Sequence, residues 1–215
     1  MGIQERKQRE KERRKQQIMV AAKRVFVKNG YDRTTMESIA KEAELSAGTL
    51  YLYFKSKSEL WATLSVRVLQ YLLMRLDHLL TQQGLDAKGN LSELKAVLLD
   101  AYEFDPTTFR NLFNLQTSDT LMDLSPELIE EIDSLGQQSL NKIASIFQQG
   151  INRGIFLNRH PKDIADIVWS MFSGVVLWEG SKQSGERGTE HLQSTMETAF
   201  EIFEKGILVQ NPQPN

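Results

Sequence analysis

The chain has no cysteine, only three histidines and only five prolines in its 215 residues. Without cysteine there is no disulfide and no thiolate metal site, so the fold rests on packing alone. His78, His160 and His191 are far apart in sequence, and no pair has metal-ligand spacing. Asp163 and Asp166, at i and i+3, read as a solvated helix face, so no metal is expected. No G-x-S-x-G, phosphate loop or dinucleotide fingerprint is present, which argues against an enzyme and gives no reason to expect a cofactor. No apolar run approaches the ~18 residues that cross a bilayer. The charged N-terminal stretch lacks the apolar segment of a secretory signal, and a cytoplasmic location is the expectation.

What is present is unevenly distributed. Residues 1–60 carry fourteen Lys/Arg against eight Asp/Glu, a net of +6; the remaining residues carry twelve against twenty, a net of −8. A basic head on an acidic body suits a polyanion-binding module joined to something else, or simply uneven surface charge. Hydrophobic residues at 40 % and charged residues at 25 % are ordinary for a globular chain.

Helical periodicity dominates, and no stretch alternates convincingly at period two. The pattern predicts an all-α chain of about nine helices. Ile18, Ala22, Val25 and Phe26 share one face of the first, which Asn29-Gly30 ends. The basic arm before it, Arg6 to Lys15, has no apolar stripe and either extends that helix or stays disordered. Thr34-Thr35-Met36-Glu37 fits a capping box for the second helix, and Ser46 caps a very short third. Lys57 opens a long fourth helix bearing Leu60, Leu64, Val68, Leu72, Leu76 and Leu79. Leu91 to Phe104 forms the fifth, and Asp105-Pro106, Ser125-Pro126 and His160-Pro161 each start a further one, because proline suits a first turn. A polar loop is expected over 182–188, then a last helix, then a disordered tail over 210–215.

Thr34 to Leu60 carries the function. Two short helices separated by Ala43, Glu44 and Leu45 make a helix-turn-helix, with Ile39, Ala40, Leu45 and Leu50 as its small core. The third helix is then free to enter a DNA major groove. Ser46, Ala47, Gly48 and Thr49 are small enough to sit close to it, with the amides and positive dipole end of that helix facing phosphate. Tyr51, Tyr53 and Phe54 are either phosphate contacts or an aromatic mini-core. The mini-core suits Phe54 and phosphate contact suits the tyrosines. Lys57 in a first turn opposes its helix dipole, and a phosphate partner would explain it.

Gly30-Tyr31, Thr34-Thr35, Ile39-Ala40 and Ser46-x-Gly48-Thr49-Leu50-Tyr51-x-Tyr53-Phe54-Lys55-x-Lys57-x-x-Leu60 closely resemble the N-terminal domain of TetR-family regulators. The resemblance covers roughly residues 14–74. It implies a basic arm at 1–13, a DNA-binding domain at 14–74 with its helix-turn-helix at about 37–56, and a ligand-binding and dimerisation domain at 75–209. It further implies a homodimer reading a near-palindromic double-stranded operator, with Thr35, Ser46, Tyr51, Tyr53 and Lys57 on phosphates and Ala47, Gly48 and Thr49 at base edges. Thr34, Lys55, Arg33 and the arm are further DNA candidates. The family usually has Gly where Glu44 stands. If the turn is kept, Glu44 bears a positive φ at roughly 1–2 kcal/mol.

The same resemblance implies that the last two long helices dimerise. Trp169, Phe172, Trp178, Phe200 and Phe203 are candidates for that bundle or for the subunit's own core. It also implies a small-molecule cavity among the middle helices. Tyr102, Phe104, Phe109, Phe113, Met122, Phe147, Trp169 and Phe172 are candidate linings or plain core, and such linings would suit a small hydrophobic effector. A repressor released by that effector is the expectation. A ligand-responsive activator is the alternative within the family, and a membrane-surface adaptor using the arm is the alternative outside it; that arm lacks the apolar face such a role needs, and Glu5, Glu10 and Glu12 dilute its charge.

Overall fold

The computed structural model describes residues 2–82, 87–117, 124–181 and 188–209. Nine helices and no strand are found among the described residues: α1 (Ile3–Asn29), α2 (Met36–Glu42), α3 (Ala47–Tyr51), α4 (Lys57–Thr81), α5 (Ala87–Phe104), α6 (Pro106–Thr117), α7 (Pro126–Asn152), α8 (Pro161–Ser181) and α9 (Gly188–Ile207). None is long and apolar enough to cross a membrane. Met122 and the tail 210–215 lie outside the described residues, as does the expected loop except Gly188, which opens α9.

The basic arm is helical, continuous with α1 and exposed through residue 13. Helix α1 becomes anchored only where Ile18, Met19, Ala22, Val25 and Phe26 reach the head core. Helix α5 begins at Ala87, ahead of the expected Leu91. Gly89 and Asn90 are poor helix formers, but Leu91 and Leu94 bury completely just beyond them, and tertiary docking of an apolar face outweighs local propensity.

Among the described residues, three apolar clusters hold the fold together. The head packs α1, α2, α3 and the start of α4 around Ile18, Phe26, Ile39, Leu50 and Trp61. A junction cluster joins Ala62, Val66 and Leu69 to Leu112, Leu124 and Ile132. The body core runs from Val68, Leu72, Leu76 and Leu79 through α5 to Phe147, Phe172 and Phe200. Helix α4 contributes to all three. Its 25 residues span about 37 Å at 1.5 Å each. A second head-to-body tie is ionic: Lys23 Nζ of α1 lies 3.0 Å from the buried carboxylate of Asp105. That carboxylate also accepts from the Thr108 amide and hydroxyl in the first turn of α6.

The end of α9 is pinned as well. Leu157 N donates to Ile207 O at 2.8 Å and Val209 N to Ile155 O at 2.9 Å, forming an antiparallel bridge between Phe156 and Leu208. Phe156 thereby packs closely against Gly150, where a Cβ would sit 2.1 Å from its ring. Gly136, in the same helix α7, has nothing within 4 Å of its would-be Cβ. The two glycines therefore answer oppositely to one methyl group. Gly150→Ala is expected to destabilise by about 1–3 kcal/mol through overpacking, and Gly136→Ala to stabilise by up to about 1 kcal/mol through helix propensity. Thermal unfolding of both variants checks the two signs.

Candidate nucleic-acid interface and effector cavity

Helix α2 is capped by Thr35, whose hydroxyl accepts from the Ser38 amide at 3.2 Å while Ser38 Oγ accepts from the Thr35 amide at 3.1 Å. The box thus closes on Ser38 and not on the expected Glu37. Thr34 turns inward, 1 % exposed, and its hydroxyl donates to Gly30 O. Its side chain does not reach the surface, which corrects the expectation that it faces DNA.

The turn between α2 and α3 is a Schellman closure: Leu45 N donates to Ala40 O and Glu44 N to Lys41 O. Glu44 carries φ 56°, so the left-handed residue is kept without glycine. Ser46 then caps α3, accepting from Thr49 N at 3.1 Å, and its hydroxyl also pairs with the Thr49 hydroxyl at 2.8 Å. Leu50 is the α3 residue that buries. Gly48 and Tyr51 are exposed, and Ala47 and Thr49 are half-buried. Tyr53 packs partly against the head core, and Phe54 buries in it. Thr35, Arg33 and Lys55 are exposed. Arg33 Nε donates to Asn29 O, and the Lys55 amide donates to the Glu59 carboxylate.

Lys57 is placed differently from the expectation. Its Nζ donates to the carbonyls of Tyr31, Asp32 and Thr34 at 3.1, 3.3 and 3.2 Å and stands 4.5 Å from the Tyr31 ring centroid. Three N–H groups meet three carbonyls, so a phosphate would have to displace one of them. The next residue adds to the clamp: Ser58 Oγ pairs with Tyr31 Oη at 2.8 Å. Tyr31 in turn packs edge-on against Trp61. The loop entering the helix-turn-helix is thereby tied to the first turn of α4. The unfavourable dipole position of Lys57 is offset by these carbonyls.

In the body, a cavity of about 100 Å³ opens between α4, α6, α7 and α8. Leu69, Leu112, Ile132, Leu140 and Trp169 form its apolar wall, and Asp133, Gly136, Gln137 and Ser139 come from α7. Of the expected linings among the described residues, only Trp169 reaches it. Tyr102, Phe109 and Phe172 bury beside Trp169 as a closed aromatic cluster, with Phe109 5.4 Å from Phe172 and 6.2 Å from Tyr102. Burial raises the Tyr102 pKa, against a smaller opposing pull from Arg110. Phe147 packs elsewhere, against Phe156 and Phe203, and Phe104 stacks on Tyr71 at the surface. Phe113 and Met122 lie outside the described side chains. Sequence reasoning missed Gly136, although a glycine amid a 27-residue helix was a readable anomaly.

The dimerisation candidates divide. Phe172 and Phe200 bury in the subunit's own core, Trp169 and Phe203 are half-buried against it, and Trp178 is 65 % exposed. Ile167 and Leu177 on α8 and Ile202 on α9 are also exposed. Gly174 and Gly206 on the same helices face open space.

Residues 18–64 match the family model described as bacterial regulatory proteins, tetR family. The chain is 28 % identical over 177 residues to YfiR, an HTH-type transcriptional regulator of Bacillus subtilis, covering 77 % of this chain and 80 % of that one. The TetR-family regulator PfmR from Thermus thermophilus shares the fold at TM-score 0.69 and 21 % identity, with 86 % of this chain and 97 % of that one covered. The regulator FadR from Bacillus subtilis, solved in complex with stearoyl-CoA, shares it at TM-score 0.65 and 22 % identity, with coverage of 86 % and 97 %.

The clamp makes Lys57→Met informative. The head is expected to lose about 1–3 kcal/mol, the cost of stranding hydrogen-bonded carbonyls, while the slope of log affinity against log salt stays unchanged. A slope reduced by about 1 at full stability would instead identify Lys57 as a phosphate contact.

Proposed function

We propose that this member of the TetR family of bacterial regulatory proteins, a DNA-binding transcriptional regulator, is a homodimeric repressor released from its operator by a small, largely apolar effector. The observation that carries the reading is that one helix serves both ends. Leu60, Trp61 and Leu64 of α4 hold the head, and Leu69 of the same helix lines the body cavity. An effector that spreads the walls from α4, α6, α7 and α8 favours a body conformation in which α4 carries the head to a new position. Two heads joined through their bodies must match successive major grooves, whose spacing is set by DNA pitch. A modest displacement at the cavity end therefore suffices to lose the operator.

The phosphate set in this reading is Thr35, Ser46, Tyr51, Tyr53, Arg33 and Lys55, with the helical arm of α1 adding cations. Ala47, Gly48 and Thr49 stand at base edges. The exposed Ile167, Leu177, Trp178 and Ile202, with Gly174 and Gly206 among them, support dimerisation through α8 and α9. Burying such a face is favourable at about 25 cal/mol per Å². The apolar wall of the cavity supports a hydrophobic effector, and the stearoyl-CoA bound by FadR makes acyl-CoAs the first compounds to test.

Selection of bound fragments from random DNA by the purified protein is expected to return a two-fold symmetric consensus; an asymmetric or absent consensus rejects the reading. Ile167→Glu with Ile202→Glu is expected to yield a folded monomer by light scattering, with operator binding weakened at least tenfold. In thermal-shift measurements against acyl-CoAs and hydrophobic drugs, Gly136→Leu, which fills the cavity, is expected to abolish the stabilisation seen with the parent protein while leaving operator affinity intact.

A further inference from the structure

Leu52 is the most exposed large apolar side chain of the described residues, at 80 %, and it stands at the end of α3 with helical φ −69° and ψ −21°. Leu50 points into the head core, so the outward line of the helix is the opposite one, through Gly48 and Leu52 at i and i+4. Leu52 therefore stands on the same outward face as Gly48, one turn further along the helix. Gly48 leaves that face open: a Cβ there would meet only Ser46 Oγ, at 3.9 Å. The polar groups nearby are already engaged, since the Ser46 and Thr49 hydroxyls bond to each other and Ser46 also caps the helix. The outward surface of α3 is therefore an apolar knob on a bare helix.

A base edge in the major groove offers donors and acceptors to polar side chains, and one apolar feature, the C5-methyl of thymine. Resting on the operator-binding function above, we propose that Leu52 is the specificity-determining residue of the head and that it reads a thymine methyl group in each half-site. Reading by Leu52 is by contact and exclusion of water, without a hydrogen bond. A cytosine in that place carries a hydrogen where thymine has its C5-methyl, so the apolar contact is lost.

The test takes the consensus returned by fragment selection and replaces each thymine in turn with deoxyuridine, which removes only the methyl. Substitution at one or two symmetric positions is expected to weaken binding of the parent protein about fourfold per half-site, the worth of one methyl withdrawn from water. Leu52→Ala, a surface change that leaves the fold intact by circular dichroism, is expected to weaken binding to the thymine operator and to bind the thymine and deoxyuridine forms equally. Unchanged affinity across the whole deoxyuridine series overturns the assignment while leaving the operator-binding reading in place. So does deoxyuridine sensitivity that persists in Leu52→Ala and disappears in Thr49→Ser, which would move the contact to the Thr49 methyl. Failure to select any two-fold consensus overturns both readings together.

Discussion

Leu60, Trp61 and Leu64 sit in the head core, Ala62, Val66 and Leu69 in the junction, and Val68, Leu72, Leu76 and Leu79 in the body, all on the single helix α4. Protein interiors are close-packed and resist small displacements, so the three clusters fix the head relative to the body through one helix. Its first turn is additionally tied to the loop before the helix-turn-helix by Lys57 and Ser58. Head position is thus a mechanical consequence of where α4 lies in the body. The Lys23–Asp105 pair supplies a second connection at the start of α6. Because α6 also lines the cavity through Leu112, both head-to-body links end on helices that bound the same space.

The head itself is built from local chemistry that offsets one unfavourable residue. Glu44 holds a left-handed conformation at roughly 1–2 kcal/mol. The Schellman hydrogen bonds around it, the Thr35–Ser38 box and the Ser46 cap satisfy the amides and carbonyls that short helices leave open. A seven-residue and a five-residue helix are far too short to persist alone; they persist because Ile39, Ala40 and Leu50 dock onto α1 and α4. The clamp on Tyr31 fixes the entry to this unit, and the cap at Ser46 fixes the start of the helix that faces outward.

Much of this was legible beforehand. The turn at Glu44, the cap at Ser46, the long helix from Lys57 and the proline starts of α6, α7 and α8 follow from residue types whose local geometry is nearly obligatory. The aromatic residues of the body were not legible in the same way. Tyr102, Phe109, Phe147 and Phe172 have the composition of a pocket lining and turned out to be closed core, whereas the cavity is bounded by aliphatic residues, Trp169, the polar Asp133, Gln137 and Ser139, and the bare backbone at Gly136. Periodicity marks which face of a helix is apolar. It says nothing of whether the facing helix fills the space opposite, because that depends on the angle and separation at which two helices cross.

Short-range signals, then, determined the all-helical architecture, the helix-turn-helix and its caps, since each is decided by backbone and side-chain groups a few residues apart. Lys57 marks the boundary. Its position in a first turn was visible from the sequence, but its partners are carbonyls about 25 residues earlier in the chain, and only the closing of α1 and α4 around Trp61 brings them within reach. The same holds for the exposure of Leu52, the emptiness before Gly136 and the division of the α8 and α9 aromatics between core and surface. Each is a property of what lies opposite in space, and folding alone decides that.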